Sequence, residues 1–160
     1  MKAKPDMSHV YMLSGISGSG KSTFINKVAP HALYLNADSI RKELTGDESD
    51  QSVSKQAFEI LFERFRNALI DNVDVIIDNT CLRIRDRKQY YDIIRDCEYS
   101  TGKRYVVILY SFVPNLEQSL HWNSLRDRKV PDDVIRRQFK NFEPPSEWER
   151  YSFNVKDIVL

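Results

Sequence analysis

Residues 15–22, Gly-Ile-Ser-Gly-Ser-Gly-Lys-Ser, constrain this chain more than any other segment. Gly15, Gly18 and Gly20 let the backbone turn its N–H groups inward around an anion, because glycine enters left-handed conformations without steric cost. The spacing Gly-x-x-x-x-Gly-Lys-Ser is that of a phosphate loop. Lys21 would reach the β and γ phosphates, and the Ser22 hydroxyl would ligate Mg²⁺. The flanks agree. His9-Val-Tyr-Met-Leu-Ser14 is an apolar, strand-like run, and Ser22-Thr-Phe-Ile-Asn-Lys-Val-Ala29 has the pattern of a helix. A phosphate between them would meet the positive end of that helix. Gly15, Ser17, Gly18, Ser19, Gly20, Lys21, Ser22 and Thr23 are therefore the expected polyphosphate-binding residues.

Strand-like and helical patterns alternate along the rest of the chain. Strands are expected near 8–14, 32–36, 73–78, 104–112 and 152–159. Helices are expected near 20–29, 38–44, 52–72, 83–99, 115–128 and 131–142. Val73-Asp-Val-Ile-Ile77 is short, β-branched and apolar, as a buried parallel strand should be. Phe58, Leu61, Phe62, Phe65, Leu69 and Ile70 recur at three- and four-residue spacing, which predicts one core-facing helical stripe. The alternation implies an α/β fold with a central, mostly parallel sheet flanked by helices. At 160 residues, one domain over 1–160 is expected, with a core of ordinary size. Basic and acidic residues number 24 and 23, so any affinity for a polyanion must come from a local patch. Cys81 and Cys97 match no metal or redox spacing. There is no apolar run of membrane-spanning length and no signal-peptide core, so a cytoplasmic protein is expected, in a host's cytoplasm if it is viral.

In such sheets, ligands gather at the C-terminal ends of the strands. After the second strand come Asp38 and Arg41, three apart at a helix start and so on one face. Asp38 is either an N-cap or the carboxylate that accepts a proton from an attacking hydroxyl. After the third strand come Asp78, Asn79 and Thr80. An apolar strand ending in Asp suits the Mg²⁺ shell, although Asp78-Asn79 also suits an ordinary turn. Ser22 and Asp78 are thus the expected metal residues. Arg83, Arg85, Arg87 and Lys88 follow, either as a solvated helix face or as holders of acceptor phosphates. After the fourth strand, a helix runs towards Arg126 and Arg128, and Pro131 opens another. The pair predicts a helical lid over about 121–142, with arginines along its first arm. Six basic against three acidic residues in that segment would set a positive rim on the site.

These residues resemble the polynucleotide 5′-kinase family, phosphate-loop enzymes that phosphorylate 5′-hydroxyl ends of RNA or DNA. The similarity runs from about residue 9 to 155. It is carried by Gly15–Ser22, Asp38-Ser-Ile-Arg41, Ile77-Asp-Asn-Thr80, Asn123–Pro131 and Phe142-Glu-Pro-Pro-Ser146. The resemblance implies a P-loop kinase fold, ATP and Mg²⁺ as cofactors, and a 5′-hydroxyl polynucleotide as acceptor. It implies that Lys21 and Ser22 serve the phosphates and metal, and that Asp38 is the general base. Arg41 would bind the phosphate beside the acceptor nucleoside, and Arg126 the donor phosphates. Val130 and Pro131 match a place where such enzymes touch the terminal nucleoside. Many relatives carry an arginine where this chain has Trp122, and Arg128 is the candidate substitute on the donor side. Trp122 would then stack on a base or pack the lid. Larger members fuse a phosphatase, ligase or methyltransferase, so any ligase or phosphatase partner here would be separate.

Two other functions remain open at this level. One is a related kinase acting on another hydroxyl, of a modified DNA base, nucleoside or sugar. The other is a non-catalytic nucleotide switch, against which Asp38 and Arg126 argue, since a mere nucleotide binder needs neither a base nor a lid cation.

Overall fold

The computed structural model describes residues 7–160. Five strands form one parallel sheet: β1 (His9–Ser14), β2 (Leu33–Leu35), β3 (Val75–Ile77), β4 (Val106–Phe112) and β5 (Asn154–Ile158). Their order across the sheet is β2-β3-β1-β4-β5. Tyr11 of β1 lies beside Ile76 of β3 on one side and Ile108 of β4 on the other. The expectation of a mostly parallel sheet is met by one in which every pairing is parallel.

Side chains alternate across a strand, and β1 builds two cores this way. Val10 and Met12 enter a large cluster with Leu61, Phe65, Leu69, Tyr90 and Ile94. Tyr11 and Leu13 enter a smaller cluster with Ile25, Ile76 and Phe112. The first cluster is made by α2 (Ala37–Thr45), α3 (Ser54–Ile70) and α4 (Ile84–Thr101), the second by α1 (Lys21–Val28). Leu61, Phe65 and Leu69 form the buried line of α3, each four residues on. Two members of the predicted stripe depart from it. Ile70 ends the helix and is exposed, and Phe58 sits at the edge of the core beside the cavity described below.

The lid region differs from expectation in one informative way. The helix expected to 128 is α5 (Leu116–Ser124), and it stops four residues early. The buried Asn123 side chain causes the stop. Its Nδ2 donates to the Val130 carbonyl at 2.7 Å and its Oδ1 accepts from the Val130 N–H at 2.9 Å. That pair of hydrogen bonds to the backbone folds residues 125–131 into a closed linker, so Arg126 and Arg128 lie on a loop rather than along a helix arm. Pro131 then opens α6 (Asp132–Asn141) as expected. A further helix, α7 (Glu147–Ser152), was not predicted; Ser146 and Glu149 cap each other's backbone at its start.

Arg87 is the sharpest correction. It belongs neither to a solvated face nor to an acceptor site, because it has no exposed surface. Its Nε and Nη2 donate to Glu149 at 2.7 and 3.0 Å, and its Nη1 donates to the Cys81 carbonyl at 3.0 Å. Of its neighbours in the basic run, Lys88 is exposed and paired with Asp92 at 2.8 Å.

Candidate active site

The C-terminal ends of β1, β2 and β3 open into a cavity of about 830 Å³, a size suited to a nucleotide and part of an acceptor. The loop between β1 and α1 forms its floor. Gly18 and Gly20 have φ of 78° and 85°, in the left-handed region. At Gly18 a Cβ would also lie 2.5 Å from the Ser119 carbonyl of α5, so only glycine fits there. Lys21 folds back over the loop, donating to the carbonyls of Gly15 and Ile16 at 3.0 and 3.1 Å. Burial lowers the pKa of its ammonium, and the Asp78 carboxylate works against that shift. Ser19 Oγ is buried and has no hydrogen-bond partner among the described residues.

Asp78 directly follows β3, with 3% exposure. Its Oδ2 accepts from Ser22 Oγ at 2.7 Å and from the Tyr34 hydroxyl. Burial, and then the Asp78 charge, raises the Tyr34 phenol far above its ordinary pKa, so it stays a neutral donor. A hydroxyl and a carboxylate side by side form a hard-oxygen donor set of the kind Mg²⁺ takes. Together with the orphaned Ser19 hydroxyl and the Lys21 ammonium, this fits a magnesium-bound polyphosphate. Ser22 and Asp78 would hold the metal.

The chain after β3 is held under strain. Cys81 has φ of 43°, a left-handed conformation costing a non-glycine residue about 1 kcal/mol. Its carbonyl is gripped by Ser14 Oγ at 2.9 Å as well as by Arg87. Burial pushes the Cys81 thiol up to about 12, so it is inert at neutral pH. The Thr80 carbonyl accepts from Gly15 N–H at 2.9 Å, which fixes the phosphate loop against this segment.

Two asparagines carry α2 into the same cavity. Asn36 is the N-cap, accepting from Ser39 N–H at 2.9 Å, and its Nδ2 donates to the Asp78 carbonyl at 2.5 Å. Asn79 Oδ1 accepts from Ala37 N–H at 3.0 Å, while its Nδ2 donates to Tyr90 at 3.0 Å. Asp38 is therefore free of capping duty, and the N-cap alternative is removed. Its Oδ1 accepts from Arg41, and its Oδ2 lies 3.8 Å from Arg128 of the linker. Arg41 is nearly buried, with Nε on the Glu48 carbonyl at 2.8 Å.

The lid closes the cavity from the other side. Trp122, Arg126, Arg128, Val130, Val134 and Gln138 line it. Gln138 Oε1 accepts from the Ser17 N–H at 2.8 Å, which ties α6 to the phosphate loop. Trp122 is half-buried, and its ring lies over Gly20. Both earlier readings of this residue, packing and stacking, thus concern the same surface. Nucleotide binding is expected to change tryptophan emission, and Trp122→Phe to abolish the change. Trp148, packed under Arg95 away from the cavity, should give a constant background. Titration with ADP reads this directly; a full response in Trp122→Phe would remove the ring from the nucleotide site.

Gly15, Pro131 and the whole basic run of Arg83, Arg85, Arg87 and Lys88 are the expected or candidate site residues that do not line the cavity. Gly15 lies beneath the loop, where a Cβ would meet Phe112 at 3.0 Å. Arg85 is exposed on α4. The sequence reading missed Tyr34, Asn36, Glu48 and Gln138, all of which line the cavity. Only Asn36 carried a signal, since it directly follows the second strand, where ligands gather.

A family model described as an AAA domain matches residues 10–145. Among curated proteins, L-seryl-tRNA(Sec) kinase of Methanococcus maripaludis is 26% identical over 154 residues, covering 93% of this chain and 57% of that protein. A protein of Autographa californica nuclear polyhedrosis virus, named as a bifunctional polynucleotide kinase/RNA ligase, is 24% identical, covering 92% of this chain and 22% of that protein. The chain therefore spans less than two thirds of either relative. Among solved structures, a fungal RNA kinase superposes with a TM-score of 0.67 at 15% identity, covering 99% of this chain and 76% of that one. A gluconokinase from Sinorhizobium meliloti 1021 superposes with a TM-score of 0.61 at 15% identity, covering 98% and 84%.

Proposed function

Because the chain belongs to this AAA-domain family of phosphate-loop kinase domains, we propose that it transfers the γ-phosphoryl group of ATP to the 5′-hydroxyl of an RNA or DNA end. One observation carries the choice of acceptor. Asp38 accepts from the guanidinium of the nearly buried Arg41, in the cavity floored by the phosphate loop. A base beside a fixed cation suits a hydroxyl whose neighbour on the sugar is a phosphate. A neutral sugar acceptor would offer Arg41 no anion besides Asp38 itself.

In this reading Asp38 accepts the proton of the 5′-hydroxyl as its oxygen bonds to the γ-phosphorus. The bond from that phosphorus to the β–γ bridging oxygen breaks, and ADP leaves with the electron pair. Lys21 turns from its loop carbonyls to the β and γ phosphates. Arg126 meets the charge spreading over the transferred group. Mg²⁺, when bound, supplies neutralisation of the β and γ oxygens. The viral relative's name joins a kinase to an RNA ligase, which supports an RNA ligase as a functional partner of this kinase activity. Among the described residues, no helix is long and apolar enough to cross a membrane.

The test is a panel assay with γ-labelled ATP. It offers 5′-hydroxyl oligoribonucleotide, oligodeoxyribonucleotide, nucleoside, gluconate-type sugar acid and DNA containing modified bases, each at two salt concentrations. Label is expected on the 5′ ends, with an apparent affinity that weakens as salt rises. Label only on a nucleoside, a sugar or a modified base would move the reading to that acceptor. ATP hydrolysis without label on any acceptor would favour the switch.

A further inference from the structure

The acceptor half of the cavity contains an ion pair that the chemistry above leaves unused. Arg128 Nε lies 2.8 Å from Glu48 Oε1, while its Nη1 lies 3.8 Å from Asp38 Oδ2. Arg41 donates to the other oxygen of the same Asp38 carboxylate. The two arginines are anchored very differently. The Arg41 side chain is 9% exposed, its Nε fixed on the Glu48 carbonyl and its Nη1 3.4 Å from Ser54 Oγ. The Arg128 side chain is 37% exposed and projects from the closed linker.

The family resemblance makes Arg128 a candidate for the donor phosphates, but its partners belong to the acceptor side. We propose that Arg128 binds the acceptor's phosphate together with Arg41, and that Glu48 is the counter-ion Arg128 gives up when that phosphate arrives. This inference rests on the polynucleotide reading, since only an acceptor with a phosphate beside its reacting hydroxyl uses both arginines.

The exchange is physically reasonable in both directions. An ion pair exposed to this degree is held weakly, because water competes for both ends. A phosphate accepts two charge-assisted hydrogen bonds from one guanidinium, with a geometry Glu48 at its single contact does not match. Glu48 is therefore a competitor that sets the affinity for phosphate-bearing acceptors. Its main-chain carbonyl, which orients Arg41, survives any change of its side chain.

Two measurements separate this from a donor role. The first is KM for ATP, for a nucleoside 3′-monophosphate and for the same nucleoside without phosphate. The second is calorimetric binding of the nucleoside 3′-monophosphate in the presence of ADP, which needs no turnover. Arg128→Ala should raise KM and Kd for the 3′-monophosphate about tenfold or more, while KM for ATP and binding of the bare nucleoside stay near wild type. Glu48→Gln should lower KM and Kd for the 3′-monophosphate. In an Arg128→Ala background the same change should lose most of that effect, because the competition is for Arg128. If Arg128→Ala instead raises KM for ATP, or lowers kcat equally for every acceptor, Arg128 is a donor arginine and the inference falls while the polynucleotide reading stands. If the wild-type protein neither binds the 3′-monophosphate nor labels any 5′-hydroxyl oligonucleotide, that reading falls and this inference with it.

Discussion

Asp38→Asn is expected to lower kcat by about 10²–10⁴ while leaving KM for ATP near wild type, because an amide keeps the shape but cannot take the proton. The structure makes this substitution unusually clean. The helix that carries Asp38 is capped by Asn36, so the loss cannot be charged to an unravelled first turn. Arg41 loses a partner but keeps the Glu48 carbonyl. Asp38→Ala should match Asp38→Asn in rate. Asn36→Ala is the complementary control. It removes the cap, costing about 1 kcal/mol, and releases the Asp78 carbonyl that Asn36 holds. Thermal melts and steady-state kinetics on the three variants decide the matter. If Asp38→Asn is nearly silent while Asp38→Ala destabilises, Asp38 is a structural residue and the general-base assignment is wrong.

How much of this could be read from the chain depended on the range of the interactions. The phosphate loop, its strand and its helix lie within about twenty consecutive residues, and their pattern is local. Val75-Ile-Ile77 announced a buried parallel strand by composition alone. Asp38, Arg41 and Asp78 came next, since each follows a strand and the fold gathers strand ends. What failed was tertiary. No local pattern says that Asn123 will spend its amide on Val130 and end a helix four residues early. Tyr34 comes from a three-residue edge strand too short for alternation to show. Arg87 looked like one member of a basic run, because its partner Glu149 lies 62 residues further on. Phe58 obeyed its helical period and still ended beside the cavity, since periodicity gives a face and not what covers it.

The Arg87–Glu149 pair carries the largest expected effect on stability. Neither side chain has exposed surface. Glu149 accepts from Arg87, from Tyr91 Oη at 2.5 Å and from Ser146 N–H at 2.9 Å. Burial pushes its carboxyl up, yet those hydrogen bonds outweigh burial and hold it below the ordinary value of 4.5. Taking away one charge leaves the other buried without compensation. Glu149→Gln should therefore cost about 3–5 kcal/mol, a fall in Tm on the order of 10 °C for a chain of this size. Glu43→Gln, which breaks an exposed pair with Arg64, should barely move it. The sign of the pH dependence follows from the depressed carboxyl. Its contribution is complete above the unfolded carboxyl value and is lost as pH falls through the folded one. The gap between wild type and Glu149→Gln should thus be full near neutrality and shrink below about pH 4.5. The damage should also reach the site, because Arg87 grips the Cys81 and Leu82 carbonyls just behind Asp78. Melts of the three proteins from pH 7 to 3.5 test this. A Glu149→Gln protein as stable as wild type at pH 7 would show that the pair adds nothing beyond its packing.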